Sequence, residues 1–319
     1  MLPLKDLGVP QKFLGVWFDW QKNGDLFLHQ SPYTEKLLGT FNMSSCNSCK
    51  SPGTSVKLTD QGEDSDAPIM EALGGLGWLA NNTRPDIAPA VHEVARFMSK
   101  PKKQHWSAIK TIFQYVKGTS KFGIWIRKCN NKLQRGVCCY VDASWGTVSI
   151  GGYLVFLNTS LVCWSSQKIR SICLSSYESE IVTMSAAASH LKWFARLVSK
   201  VELWDPCPIP LYCDNQGSID SAGNSQQSTR TRHIEIKNLF VREAVKSKLV
   251  ATIKVASLDN WADFLTKNPG PVSFKMQVNR LGMELSSRPI SPTITSGKFK
   301  SSDEEPSVAH QGGASRRKV

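Results

Sequence analysis

The order of the segments between residues 134 and 267 constrains the fold more than any other feature of the chain. Three short apolar runs, "GVCCYVDASW", "GGYLVFLN" and "LVCWSSQ", are separated only by turn residues and predict three successive antiparallel strands. A long amphipathic helix follows, then a strand "IPLYCDN", helical turns over residues 218–246, a strand "LVATIKVAS" and a last helix at "NWADFLTK". This order predicts an α/β fold, with an α+β mixed sheet flanked by helices.

Two glutamates stand at the start of the long helix, in "LSSYESEIVTM". Ser175 and Glu178 have the spacing of a capping box, in which each side chain bonds the backbone amide of the other residue, so Glu178 has a sufficient structural role. Glu180 begins an apolar row at steps of three and four that contains Met184, Ala187, Leu191 and Phe194. A carboxylate on that face is either solvated in the first turn, where the helix dipole favours it, or desolvated and in need of a cation.

Three further acids lie at comparable places in other elements. Asp142 lies in the strand "CYVDASW" among apolar neighbours, and Asp263 lies near the start of the predicted helix "NWADFLTK". Asp214 closes the strand "IPLYCDN" at its carboxyl end, where open α/β sheets place their ligand sites. Each of these acids alone is more typical of a cap or a turn. Together with Glu180 they place four acids at the ends of four core elements.

Four converging carboxylates in a basic chain predict a divalent cation site. Like charges raise one another's pKa, and divalent cations remove the conflict. Oxygen ligands without histidine or cysteine favour Mg²⁺ or Mn²⁺, and two such ions can activate a water and stabilise the leaving oxygen of a phosphodiester. The formal net charge of +13 and the pI near 9.3 indicate a polyanionic partner, nucleic acid before membrane.

The rest of the chain divides into an upstream region and a tail. Residues 1–123 predict a hairpin, "GVWFDW" and "DLFLHQ" around Asn23-Gly24, and helices near residues 33–41, 87–98 and 105–117. The polar, Pro/Ser-rich residues 269–319 predict a disordered tail. Cys46 and Cys49 form one Cys-x-x-Cys pair without a second pair at zinc spacing, which is more typical of two half-buried thiols than of a zinc site.

Two kinds of membrane-related segment are not evident in the sequence. The first residues contain no uninterrupted apolar h-region, and no run reaches the roughly 18 apolar residues that span a bilayer. We therefore expect no signal peptide and no membrane partner, with the protein in the cytoplasm or nucleus.

The wording of several segments resembles a known family. "YVDASW", "WSSQKIRSICLSSYESEI", "LYCDNQGSI", "STRTRHIEIKNLFVRE" and "NWADFLTK" resemble, in this order, the RNase H domain of Ty1/copia-type retrotransposon Pol polyproteins. Upstream, "LKDLGVPQKFLGV", "TRPDIAPAVHEVARFMSKPKKQHW" and "YVKGTSKFGI" resemble the end of the copia reverse transcriptase. The resemblance covers residues 4–267. It implies a reverse transcriptase thumb/connection-like region over residues 1–123, an RNase H-like domain over residues 134–268 and the tail after it.

The resemblance also implies roles for individual residues. The metal-binding and catalytic carboxylates would be Asp142, Glu180, Asp214 and Asp263, which would hold two Mg²⁺ or Mn²⁺ ions and cut the RNA of an RNA–DNA hybrid. His233 falls where copia chains also have a histidine, which implies a substrate-binding or structural role rather than catalysis. The basic cluster Arg230, Arg232 and His233 could equally hold a phosphate of the nucleic acid.

The sequence also departs from the family in three places. Ser144 stands where the family has a second aspartate, and the loop "DASWGTVSIGGY" is shorter than usual. The paired aspartates of the polymerase half do not occur, so we expect no polymerase activity.

Three hypotheses about function follow. The first is a metal-dependent RNase H, and the second is a nucleic-acid-binding relic without catalysis. The third comes from a further resemblance, to a chain grouped among the secreted RxLR effectors of plant-pathogenic oomycetes. It implies secretion, delivery to the nucleus or cytoplasm of a host plant cell, and action on immunity or cell death through unknown host proteins. The chain contains no Arg-x-Leu-Arg motif.

Overall fold

The computed structural model describes residues 5–6, 8–54, 56–129, 136–201, 204–223, 235–267 and 271–283. The upstream part of the chain forms a small four-stranded sheet and four helices. The strands are β1 (Lys12–Phe13), β2 (Val16–Trp20), β3 (Leu26–His29) and β4 (Gly123–Ile126), and each is antiparallel to its neighbours in the order β1-β2-β3-β4. The helices are α1 (Ser31–Thr40), α2 (Ile69–Asn82), α3 (Ala88–Ala95) and α4 (Lys103–Gly118).

The predicted hairpin is confirmed in the upstream sheet. Strands β2 and β3 pair in antiparallel register from Trp17 opposite His29 to Trp20 opposite Leu26. Gly24 adopts a φ of 87° in the turn, a conformation that favours glycine. Three predicted helices correspond to α1, α3 and α4, whereas helix α2 and strand β4 have no counterpart among the predicted elements.

Helix α2 forms despite three glycines, which are unfavourable in a helix interior. Its apolar side chains lie on one buried face, and Leu76 and Leu79 are fully buried in the core. Burial of this face offsets the weak helix propensity.

The second part of the chain contains a five-stranded sheet. Its strands are β5 (Val137–Ser144), β6 (Ile150–Leu157), β7 (Ser160–Lys168), β8 (Ile209–Cys213) and β9 (Val250–Lys254), in the order β7-β6-β5-β8-β9. The three hairpin strands are antiparallel, and β8 and β9 join parallel to β5 and to each other. The predicted mixed α/β sheet is therefore confirmed.

Helices cover one face of this sheet. The long helix is α5 (Ser176–Lys200), and it is followed by α6 (Gln216–Gly223) and α7 (Glu235–Lys246). The predicted apolar row of α5 is buried together with strand residues such as Val141 and Leu211. Burial of this row fixes the 25-residue helix, including its first turns, against the sheet.

The upstream helices cover the opposite face of the same sheet. One continuous hydrophobic cluster contains Leu76 and Ile87 from upstream as well as Tyr140, Phe156 and Leu265 from the second part. The indole of Trp164 in β7 also donates a hydrogen bond to the Ala80 carbonyl in α2, at 2.8 Å. The two parts of the chain therefore pack through a shared core.

Two elements differ from the predictions near the end of the described chain. The predicted helix at "NWADFLTK" is only a three-residue 3-10 turn, Asp263–Leu265, because Phe264 and Leu265 are buried against the sheet and hold the backbone there. Residues predicted to begin the disordered tail form helix α8 (Pro271–Arg280), in which Phe274 and Val278 are buried. Phe274, Val278 and Leu281, at steps of four and three, belong to the shared hydrophobic cluster and dock this segment on the core. Residues 284–319 lie outside the described part.

No helix among the described residues is both long enough and apolar enough to cross a membrane.

A buried ion pair holds the upstream core together. The Arg84 guanidinium donates to both carboxylate oxygens of Asp86, at 2.8–3.3 Å, and to the Thr119 carbonyl at 2.9 Å. The Tyr115 hydroxyl donates to the same carboxylate at 2.8 Å. Arg84 is 1% exposed and Asp86 is fully buried. The network joins the segment before α3 to the end of α4.

Removing one partner of this pair is expected to be severe. Asp86→Ala leaves a buried guanidinium without its counter-charge, which costs about 3–5 kcal/mol of the free energy of unfolding. Tyr115→Phe removes one hydrogen bond to the charged group and should cost about 1.5–3 kcal/mol. Urea denaturation followed by tryptophan fluorescence measures both values.

As a control, Glu63→Ala removes the exposed ion pair with Lys103 and should leave the urea midpoint close to that of the wild type. Equal effects for Asp86→Ala and Glu63→Ala would contradict a structural role for the buried pair.

Candidate metal centre

The pairing of two parallel strands places Asp142 beside Asp214. Strands β5 and β8 pair at Cys139 opposite Leu211 and at Tyr140 opposite Tyr212. Asp142 follows Tyr140 by two residues and Asp214 follows Tyr212 by two residues, in the same strand direction. They therefore leave the sheet together, at the carboxyl edge of this parallel pair.

The first turns of α5 bring Glu180 to the same edge. Glu180 accepts a hydrogen bond from the Ala143 N–H at 3.2 Å, and the Cys213 thiol lies 3.8 Å from its other carboxylate oxygen. Glu180 is only 4% exposed. The side chain therefore lies between β5 and β8, as the apolar row of the helix predicted.

The neighbouring glutamate has a different role. Ser175 is the N-cap of α5, and its hydroxyl accepts the Glu178 N–H at 3.3 Å. The Glu178 carboxylate accepts the Leu174 N–H at 2.5 Å, one residue before the partner that a capping box predicts. Glu178 thus caps the entry of the helix, whereas Glu180 faces the sheet.

Three of the four predicted acids converge. Single carboxylate oxygens of Asp142, Glu180 and Asp214 all lie within 4.8 Å of one another. Asp263 is not part of this group. It lies next to the group, with its carboxylate bonded to the Lys267 amine, and the following Thr266 donates its hydroxyl to the Asp142 carboxylate.

Burial and mutual repulsion make the acids poor at holding negative charge without a cation. Burial, followed by the charges of Asp142 and Asp214, raises the pKa of Glu180 to about 9. Burial is also the main cause that raises the pKa of Asp142 to about 6, against the hydrogen bond from Thr266 and the charge of Lys267, which lower it. Ionisation of the whole group therefore requires a positive charge at its centre.

The donor set fits a hard divalent cation. Its three members are carboxylates, and no histidine belongs to the group. Oxygen-only sites of this kind suit Mg²⁺ or Mn²⁺.

Two adjacent glycines let the acid-bearing elements approach the sheet from its two faces. A Cβ on Gly152 would lie 2.6 Å from the Leu265 Cβ and 3.1 Å from the Thr266 Cγ2 on one face. A Cβ on Gly151 would lie 2.4 Å from the Thr183 hydroxyl oxygen of α5 on the other. The Gly-Gly pair in "SIGGYLVF" is a sequence signal for this close approach, and it was not among the predicted site features.

Two further sequence predictions concern residues other than these acids. Arg230, Arg232 and His233 fall outside the described residues, so their predicted contacts with nucleic acid stay predictions. The Cys49 thiol donates to the Ser51 and Thr111 carbonyls, and neither Cys46 nor Cys49 belongs to a metal-ligand group within the described part of the chain. Both are half-buried free thiols, as predicted.

Comparison with curated proteins finds retroelement sequences. The chain is 30% identical over 300 residues to the retrovirus-related Pol polyprotein from transposon TNT 1-94 of Nicotiana tabacum, covering 88% of this chain and 22% of the relative. It is 32% identical over 280 residues to the Pol polyprotein from transposon RE2 of Arabidopsis thaliana, covering 85% and 19%. The chain thus spans about a fifth of the length of these relatives. The secreted RxLR effector protein 161 of Plasmopara viticola is 36% identical over 131 residues, 40% of this chain and 90% of the relative.

Comparison with family models and solved structures adds less. No protein-family model matches the chain. RNase H1 from the archaeon Halobacterium salinarum NRC-1 aligns at 16% identity and a TM-score of 0.33, over 41% of this chain and 93% of that one. The foamy viral protease-reverse transcriptase in complex with an RNA/DNA hybrid aligns at 10% identity and a TM-score of 0.41, over 79% and 30%. The mixed sheet is established by its own strand order and pairing, independently of these alignments.

The stability of the metal-free protein is expected to fall as the pH rises. The folded pKa values of Asp142 and Glu180, about 6 and about 9, exceed the ordinary values near 4 of the unfolded chain. The folded state therefore binds more protons, and the stabilisation present below about pH 4 is lost as the pH rises through 6 and 9. Thermal unfolding in EDTA from pH 5 to pH 9 measures this loss. Glu180→Gln should flatten the curve between pH 7 and 9. Parallel curves for variant and wild type would refute the shifted pKa of Glu180.

The Gly152→Ala substitution is expected to loosen the metal centre. The added methyl group forces Leu265 and Thr266 off the sheet, which costs about 1–3 kcal/mol of stability and removes the bond from Thr266 to Asp142. Mg²⁺ affinity, measured by calorimetry, should fall about tenfold or more, as for other partners that orient metal ligands. Gly146→Ala is the control, because a Cβ there has open space around it. Unchanged Mg²⁺ affinity in Gly152→Ala would show that close packing of the turn is not needed.

Proposed function

The chain belongs to the family of the Ty1/copia-type retrotransposon Pol polyproteins, and on that premise we propose that it is a metal-dependent ribonuclease H that hydrolyses RNA in RNA–DNA hybrids. The observation that carries the proposal is the convergence of Asp142, Glu180 and Asp214 within 4.8 Å at one edge of the sheet. Buried acids at such spacing are costly unless they bind a cation. The net charge of +13 suits a polyanionic substrate.

The chain's own residues hold and orient the ligands in this proposal. Asp142, Glu180 and Asp214 would bind Mg²⁺ or Mn²⁺, and when bound such ions supply an activated water and stabilise the leaving oxygen. The Ala143 N–H fixes one oxygen of Glu180, and the Thr266 hydroxyl fixes one oxygen of Asp142. These bonds leave the acids little freedom to turn away from one another, so the site is preorganised.

Asp263 has a separate place in the proposal. Its carboxylate lies at the edge of the group and is bonded to Lys267, a side chain that is half exposed. We assign Asp263 as a fourth carboxylate at the open side of the centre.

The proposal is tested by cleavage of a labelled RNA–DNA hybrid with and without Mg²⁺. Asp142→Asn and Glu180→Gln should each lower the cleavage rate on the order of 10³-fold, because loss of a ligand removes several kcal/mol of transition-state stabilisation. Glu178→Gln is the matched control, since an amide oxygen can still accept the Leu174 N–H, and its rate should stay within about twofold of the wild type.

Two results would decide between hydrolysis and a non-catalytic relic. Cleavage that disappears with EDTA and with Asp142→Asn, but not with Glu178→Gln, supports the hydrolase. Equally low cleavage by wild type and Asp142→Asn, at Mg²⁺ and at Mn²⁺, would exclude it.

The effector hypothesis has one observation behind it, the 36% identity to the RxLR effector protein of Plasmopara viticola. That relative matches 40% of this chain, whereas the Pol polyproteins match 85–88%. The chain's own residues add no Arg-x-Leu-Arg motif. The longer match to the Pol polyproteins, together with the convergence of the three acids, therefore favours the hydrolase, and we do not propose the effector function.

A further inference from the structure

A cleft lies between the two parts of the chain, next to the metal centre. It has a volume of about 240 Å³ and is walled by α3 on one side and by the ends of β5, β6 and β7 on the other. Thr266, which bonds Asp142, and Lys267, which bonds Asp263, are among its lining residues. The cleft thus opens beside the proposed metal site.

Strand register puts the wall of the cleft one step beyond the metal centre. Asp142, Gly152 and Ser166 are opposite one another across β5, β6 and β7, so these three positions face the same side of the sheet. The next row on that face is Ser144, Ile150 and Lys168, and all three line the cleft. Two residues along a strand correspond to about 7 Å, which is the axial rise of about two nucleotides of a duplex.

Helix α3 and the segment after it supply the opposite wall. His92, Glu93 and Arg96 lie there at spacings of one and three residues, and Arg96 is exposed. This wall therefore presents one exposed cation, the Arg96 guanidinium, to the cleft.

The charges of the cleft favour an anion. Asp86 is neutralised by Arg84 and Lys267 by Asp263, which leaves Glu93 against Arg96 and Lys168. Within the described part of the chain, neither Arg96 nor Lys168 forms an ion pair. Ser144 also lines this wall and carries no charge, so an aspartate at this position would add a negative charge to the cleft.

We propose that this cleft binds a backbone phosphate of the nucleic acid whose neighbouring nucleotides lie at the metal centre, through Arg96 and Lys168. The proposal rests on the proposed function for the identity of the ligand, and it extends the substrate site from the acids into the upstream part of the chain. Arg96 and Lys168 are binding residues in this scheme. They do not touch the reacting atoms.

The test is equilibrium binding of a fluorescent RNA–DNA hybrid to the full chain in EDTA, where no hydrolysis occurs, between 50 and 200 mM salt. Each lost phosphate contact reduces the magnitude of the slope of log affinity against log salt by about 0.9. The loss of affinity between 50 and 200 mM salt then becomes about threefold smaller. We expect this change for Arg96→Ala and for Lys168→Ala, and about twice this change for the double variant. Ser144→Asp should weaken binding at 50 mM salt without removing a cation.

Matched controls are available on the other side of the sheet. Arg196 and Lys192 are exposed on α5, which packs on the face opposite the upstream helices. Arg196→Ala and Lys192→Ala should keep the wild-type slope. The cleft proposal is overturned if Arg96→Ala and Lys168→Ala also keep that slope, or if the wild type does not bind the hybrid at all.

The same experiment separates the two proposals. Lower slopes in the cleft variants together with no Mg²⁺-dependent cleavage would support the phosphate site and exclude the hydrolase. Cleavage that depends on Asp142, together with unchanged slopes, would support the hydrolase and exclude the phosphate site.

Discussion

The metal centre depends on how closely two elements can approach strand β6. Gly152 has no side chain on the face where Leu265 and Thr266 lie, and Gly151 has none on the face where α5 passes. Because the elements on both faces carry acids or their hydrogen-bond partners, this Gly-Gly pair sets the distance of Glu180 and of the Asp263–Leu265 turn from the strand that holds Asp142. A side chain at position 152 would require a shift of a backbone segment, since the nearest atom is a Cβ and cannot rotate away.

The convergence of the acids also follows from strand direction. Parallel pairing of β5 with β8 sends Asp142 and Asp214 out of the sheet at the same edge, and the antiparallel hairpin strands alone would not provide this arrangement. Helix α5 starts at that edge, and its Ser175 cap fixes the first turn. Glu180 lies in the first two turns of α5 and therefore reaches the gap between β5 and β8. The desolvation of its carboxylate is a consequence of the same packing that buries the helix.

Sequence patterns were sufficient where one face of an element decides its position. The row that begins at Glu180 separated this residue from Glu178, and the structure places the two as that row predicts. The patterns failed where contacts distant in sequence decide the backbone. Asp263 lies in a 3-10 turn because Phe264 and Leu265 are held in the shared core, which no local pattern contains. The acidic residues themselves were recognisable, but the close packing that orients them was not.

The upstream helices help to position the metal centre in the second part of the chain, although the upstream part has a sheet of its own. Tyr140, Phe156 and Leu265 lie on the face of the second sheet that α2 and α3 cover, so that face would be solvent-exposed without the upstream helices. The row of Asp142 lies on the same face, and the Thr266 hydroxyl that bonds Asp142 follows directly after buried Leu265. Packing of the upstream helices therefore stabilises the turn that orients a proposed metal ligand. Residues 1–123 are in this sense a structural support of the metal centre as well as one wall of the cleft beside it.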